Sequence, residues 1–145
     1  MARILEVRNE LFMDSSYAIA LGSPRDRHHV HAATLAHTIE ATRIRVVTTQ
    51  AVVVEVGNAL SKRIVRNRAV ALLDLFDRNP LIEVAPISEE LFERGTTLFR
   101  RHQDKDWGLT DCISLVVMRD GGLTDALTAD AHFRQAGFRA LLRSA

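Results

Sequence analysis

One cysteine, Cys112, is all the sequence holds, so an internal disulfide is impossible and a thiolate zinc centre is excluded. That usage fits a reducing compartment. Three prolines and seven glycines are too few and too scattered to mark a linker, and no low-complexity stretch divides the 145 residues. The chain reads as one domain, long enough at 47% hydrophobic residues to bury a core. Long apolar runs are also missing. Ala51 to Val54 and Leu115 to Met118 are cut off by Glu55 and Arg119, which excludes a membrane span. Arg3, Glu6, Arg8 and Glu10 interrupt the first ten residues, so these lack the apolar centre of a secretory signal, and the expected location is the cytoplasm. A net charge of +1 gives no general basic character from which a nucleic-acid partner follows. Cations do gather locally, at Lys62, Arg63, Arg66 and Arg68 and again at Arg100, Arg101, His102 and Lys105. Such groups serve equally as solvated helix ends or as phosphate contacts.

What the chain has instead is alternation. Leu11 to Met13 is a short apolar run that stops at Asp14 and reads as a first strand, with Ser15 and Ser16 available to cap the turn after it. Asp26 to Thr42 carries Leu35, Ile39 and Thr42 on one side, as an amphipathic helix does. Arg45 to Thr49 reads as a second strand. Gln50 to Arg63 is ambiguous, because four valines favour a strand while the absence of any turn favours a helix; helix is preferred. A helix is expected from Arg66 to Asp77, a strand from Leu81 to Ala85, and a helix capped by Ser88 and running to Arg101. Thr110 is expected to cap a helix over Asp111 to Arg119, which Gly121 and Gly122 end. A strand over Ala126 to Ala129, a short helix to Ala136 and an edge strand over Phe138 to Leu142 complete the pattern. Strands alternating with helices imply an α/β fold: a mainly parallel sheet of four to five strands with helices on both faces.

Eighteen acidic residues are present, and most such residues simply face water. Position sorts them. Asp14 and Asp130 each follow an apolar run, at strand ends where open α/β sheets bind ligands. Glu55 stands inside an apolar segment, although a solvated face shared with Asn58 and Lys62 also accounts for it. Asp111 sits at a helix start, where an acid is ordinary. His28, His29 and His31 have no suitable spacing and no neighbouring acid except Asp26, and read as surface histidines.

Four segments carry a resemblance: LFMDSSYAIAL around Asp14, VVVEVGNAL around Glu55, KDWGLTDCISLVVM around Asp111 and ALTADAHFRQAGF around Asp130. Together they resemble PIN-domain nucleases of the VapC toxin type, with residues 9–145 as the PIN-like nuclease domain and residues 1–8 as a leader without a counterpart. The resemblance implies that Asp14, Glu55, Asp111 and Asp130 meet at one end of the sheet around Mg²⁺ or Mn²⁺ to hydrolyse RNA. Oxygen donors without a Cys or His cluster favour those ions over zinc. Ser16 and Thr110 stand where a hydroxyl can steady a carboxylate or cap a helix, capping being preferred, and Asp106 where a further acid can support the site. A small antitoxin protein covering the acidic site is the implied partner, and Leu35 and Ile39 suggest enough apolar surface for a homodimer. Housekeeping RNA processing, and a PIN fold that binds RNA or protein without cutting, are the alternatives. A phosphoacceptor receiver fits worse, lacking paired acids at Asp14 and any lysine after Lys105, and a haloacid-dehalogenase phosphatase would need an acid where Ser16 stands.

Overall fold

The computed structural model describes residues 10–143; the expected leader, residues 1–8, lies outside them. Five strands form one parallel sheet: β1 (Glu10–Met13), β2 (Arg45–Thr49), β3 (Ile82–Ala85), β4 (Asp125–Leu127) and β5 (Arg139–Ala140). Their order is β3-β2-β1-β4-β5. The chain therefore builds outward from β1 to β3, then crosses back to lay β4 on the other side of β1. Doubly wound sheets bind ligands in a crevice at the carboxyl ends of the strands beside such a reversal, here β1 and β4.

The connections are helical: α1 (Ser15–Gly22), α2 (His29–Thr42), α3 (Gln50–Ala59), α4 (Arg66–Arg78), α5 (Glu89–Arg101), α6 (Leu109–Asp120) and the short α7 (Ala131–Gln135). The valine-rich segment is a helix, as its length implied, although it ends at Ala59 and not Arg63. Thr49 caps it by accepting from the Val52 N–H, and Val52 and Val56 point into the core while Val54 stays exposed. Burial of one stripe thus outweighs the strand propensity of β-branched residues.

Side chains alternate across the sheet. Met13 and Val46 meet Ile39 and Phe76, from α2 and α4, around a cavity of about 260 Å³. Phe12 faces the opposite layer and packs on Phe133 of α7, ring centroids 6.1 Å apart. Leu35 and Ile39 are buried in this same core, so they supply no surface for a second copy and the ground for expecting a homodimer falls away. Trp107 is buried too, its indole N–H donating to Gln135 across 3.0 Å.

Gly95 shows how tightly α5 and α6 are held. A Cβ built there would lie 2.6 Å from Ile113 Cγ1, so only glycine allows the approach without a shift.

Candidate metal centre

Asp14 follows the last residue of β1, and its backbone N–H donates to the carbonyl of Leu127 at the end of β4. The crossing of strands therefore fixes where the carboxylate stands. Its Oδ2 accepts from Thr128 Oγ1 at 2.7 Å and from Ser16 Oγ at 2.9 Å. Ser16 Oγ also accepts the Ala129 N–H at 3.0 Å, and Thr128 Oγ1 accepts the Asp130 N–H at 3.0 Å. These two hydroxyls thus lock Asp14 to the loop that carries Asp130. Ser16 was expected mainly as a cap; α1 has no side-chain cap, and holding the carboxylate is what its hydroxyl does.

Burial dominates the electrostatics here. It pushes the Asp14 carboxyl up to about 6, against hydrogen bonds that favour the anion, and the negative charge of Asp111 adds to the rise. Asp111 is raised as well, chiefly by burial and further by Asp130, while the Gly108 N–H and His132 oppose the shift.

Asp111 is the third residue of α6, which starts two residues earlier than expected. Gly108 is the N-cap, and the Asp111 carboxylate reaches back to accept the Gly108 N–H at 2.9 Å, an arrangement that satisfies an otherwise open donor at the helix start. Thr110 is consequently not the cap but a first-turn residue, its carbonyl accepting from Ser114 Oγ. Asp130 caps α7 by accepting the His132 N–H at 2.9 Å. Glu55, on α3, is exposed and receives a 2.6 Å hydrogen bond from Ser15 Oγ, which ties it to the residue after Asp14. Asp106 is exposed in the loop before α6. Asp125, fully buried, lies at the opposite end of β4 from Asp130 and accepts from Thr124 Oγ1.

His132 is the residue that sequence reasoning missed. Its Nδ1 lies 2.8 Å from Asp111 Oδ2 and 3.1 Å from Asp130 Oδ1. Asp111, Asp130 and His132 each offer a donor atom within 4.8 Å of the others, the one such grouping among the described residues. The only signal in the sequence was a histidine two positions after Asp130; His28, His29 and His31, the histidines considered there, read as surface residues. His29 Nδ1 contacts the carbonyl of Ala20, a structural role.

The donor chemistry fits a divalent cation. Buried carboxylates whose charged forms are disfavoured by burial and by one another gain most from positive charge placed among them. The cation clusters are exposed: Lys62, Arg63, Arg66 and Arg68 around the start of α4, and Arg100 and Arg101 at the end of α5 with Lys105 in the loop 102–108 that leads to α6.

A family model described as PIN domain matches residues 11–139. The 23S rRNA-specific endonuclease VapC20 of Mycobacterium tuberculosis is 28% identical over 128 residues, which cover 88% of this chain and 95% of that protein. Its crystal structure, described as that of a Sarcin-Ricin loop cleaving toxin, superposes with a TM-score of 0.78 at 27% identity, covering the same shares of the two chains. Two more distant structures agree in fold. VapBC2 from Rickettsia felis, bound to a DNA fragment from their promoter, gives 0.63 at 12% identity over 90% of this chain and 96% of that one. FitAcB from Neisseria gonorrhoeae gives 0.59 at 15% identity over 90% and 95%. No described helix is long and apolar enough to cross a membrane.

Proposed function

This chain belongs to the PIN domain family, and on that premise we propose that it is an endoribonuclease that needs Mg²⁺ or Mn²⁺, the toxin of a toxin–antitoxin pair acting in the cytoplasm. The observation that carries the proposal is the convergence of Asp14, Asp111 and Asp130 from three separate parts of the chain on the crevice between β1 and β4. Glu55 stands beside them through Ser15. Similarity to VapC20 supports RNA as substrate.

Asp14, Asp111, Asp130 and Glu55 would hold the ion, directly or through water. When bound, a divalent ion supplies the charge that activates water for attack on phosphorus and offsets negative charge in the transition state. Everything else falls to this chain's own groups. Thr128 and Ser16 fix the Asp14 carboxylate, and the Gly108 N–H fixes that of Asp111, so little reorganisation is needed when substrate arrives. Glu55, exposed and held by Ser15, would bind an ion or orient the attacking water. The exposed cations of α4 and of the end of α5 are available to the phosphates on either side of the cut.

An unrestrained nuclease would harm its host, and a small antitoxin is the partner that the likeness to VapBC2 and FitAcB supports. Its Arg or Lys would pair with the carboxylates of the crevice, blocking RNA and ion together. Expression of this chain alone is expected to arrest growth, and Asp111→Asn or co-expression of a neighbouring small DNA-binding protein to relieve the arrest. Mapping of new RNA 5′ ends in arrested cells is expected to find discrete cuts. Undisturbed growth together with specific cleavage in vitro would favour a housekeeping RNA-processing enzyme.

A further inference from the structure

The four acids do not account for His132, whose ring occupies the space between two of them. Its backbone N–H steadies Asp130 while its Nδ1 spans Asp111 Oδ2 and Asp130 Oδ1, at 2.8 and 3.1 Å. With its hydrogen on Nδ1 the ring donates to these two carboxylates. In the other neutral tautomer, with the hydrogen on Nε2, the same atom presents a lone pair to the same point.

We propose that His132 Nδ1 is a ligand of the ion at this centre, which makes the donor set mixed nitrogen and oxygen and gives Mn²⁺ preference over Mg²⁺. The inference rests on reading the crevice as a metal centre. Mg²⁺ favours oxygen donors in a near-ideal octahedron and gives up its water reluctantly. First-row ions accept imidazole nitrogen more readily. From the acids alone the two ions are equivalent candidates, and the nitrogen is what separates them. The competing role for His132 is support from outside, the ring donating to Asp111 while the ion sits on the carboxylate's far side.

Pulsed electron paramagnetic resonance on the intact, purified chain loaded with Mn²⁺ separates these roles without reference to activity. The expected spectrum shows coupling to a directly bound ¹⁴N, which changes to the ¹⁵N pattern when the histidines are ¹⁵N-labelled and disappears in His132→Gln. Glutamine keeps an amide donor for the carboxylates but removes the imidazole nitrogen. Calorimetric titration is expected to show Mn²⁺ binding weakened on the order of tenfold in His132→Gln, with Mg²⁺ binding within about threefold of wild type. Thermal unfolding of the ion-free variant verifies its fold, and the wild-type spectrum decides the question even if that variant does not fold. Mn²⁺ bound without nitrogen coupling, or coupling that persists in His132→Gln, overturns the assignment of His132 and leaves the metal centre standing. A folded wild-type chain that binds neither ion overturns both.

Discussion

Thr128 Oγ1 donates to Asp14 Oδ2 across 2.7 Å, joining residues 114 positions apart in the sequence where both are buried. This bond lies across the β1–β4 junction and orients the deepest carboxylate of the crevice. Thr128→Val keeps the shape but removes the donor to Asp14 and the acceptor for the Asp130 N–H. Leaving those groups unmatched is expected to cost about 1–3 kcal/mol of stability and to weaken ion binding on the order of tenfold. Denaturant unfolding and calorimetry measure the two effects.

Asp14 also makes stability depend on pH. Burial raises its carboxyl in the folded state to about 6 from 3.8, so the fold prefers the protonated form. The stability this provides is complete below about pH 3.8 and is lost as pH rises through 6. At pH 7.5 the ion-free protein carries a penalty of at most about 3 kcal/mol. Asp14→Asn removes the charge, so it is expected to raise the melting temperature of the ion-free protein at pH 7.5 by several degrees. The gain should fade towards pH 4.5, and a divalent ion should stabilise the wild type far more than the variant. Calorimetric scans across that range, with and without ion, check all three.

Ser15→Ala removes the 2.6 Å hydrogen bond to Glu55 at a partly open position. Stability is expected to change by about 1 kcal/mol or less. RNA cleavage should fall by about tenfold or more, since Glu55 is then free to swing away from the crevice. Single-turnover rates on a defined RNA, beside a melting curve, distinguish this from general unfolding.

Gly95→Ala sets a methyl group 2.6 Å from Ile113 Cγ1, beside the Ile113 backbone. Helices α5 and α6 must shift apart. A loss of about 1–3 kcal/mol is expected despite alanine's better helix propensity, with a drop in activity because α6 carries Asp111. Urea unfolding measures the first effect and ion titration the second.

The position of Asp14 was legible because an apolar run followed by an acid is a local pattern, whereas β4 ends at Leu127 and leaves Asp130 three residues past its strand, as the N-cap of α7. The helical state of Gln50–Ala59 was legible only from length, since its valines argued for a strand until burial of Val52 and Val56 decided the matter. Capping was read wrongly at two places for one reason. Ser16 and Thr110 have the right chemistry for caps, but Asp111 caps its own helix through Gly108, and tertiary partners claim the Ser16 hydroxyl. His132 was invisible because its meaning depends on Asp111, 21 residues away and brought near only when α6 and α7 pack. Leu35 and Ile39 suggested a dimer because sequence cannot tell apolar surface that one core absorbs from surface left over.

The most direct measurement is cleavage of an end-labelled RNA by purified protein, stripped of metal and then supplied with Mn²⁺ or Mg²⁺. Wild type is expected to cut only when an ion is restored. Folded Asp14→Asn, Asp111→Asn and Asp130→Asn are expected to stay inactive by a factor of at least about 100 under the same conditions. Undiminished cutting after exhaustive chelation, or by any of the three variants, would contradict a carboxylate-held ion as the source of the chemistry.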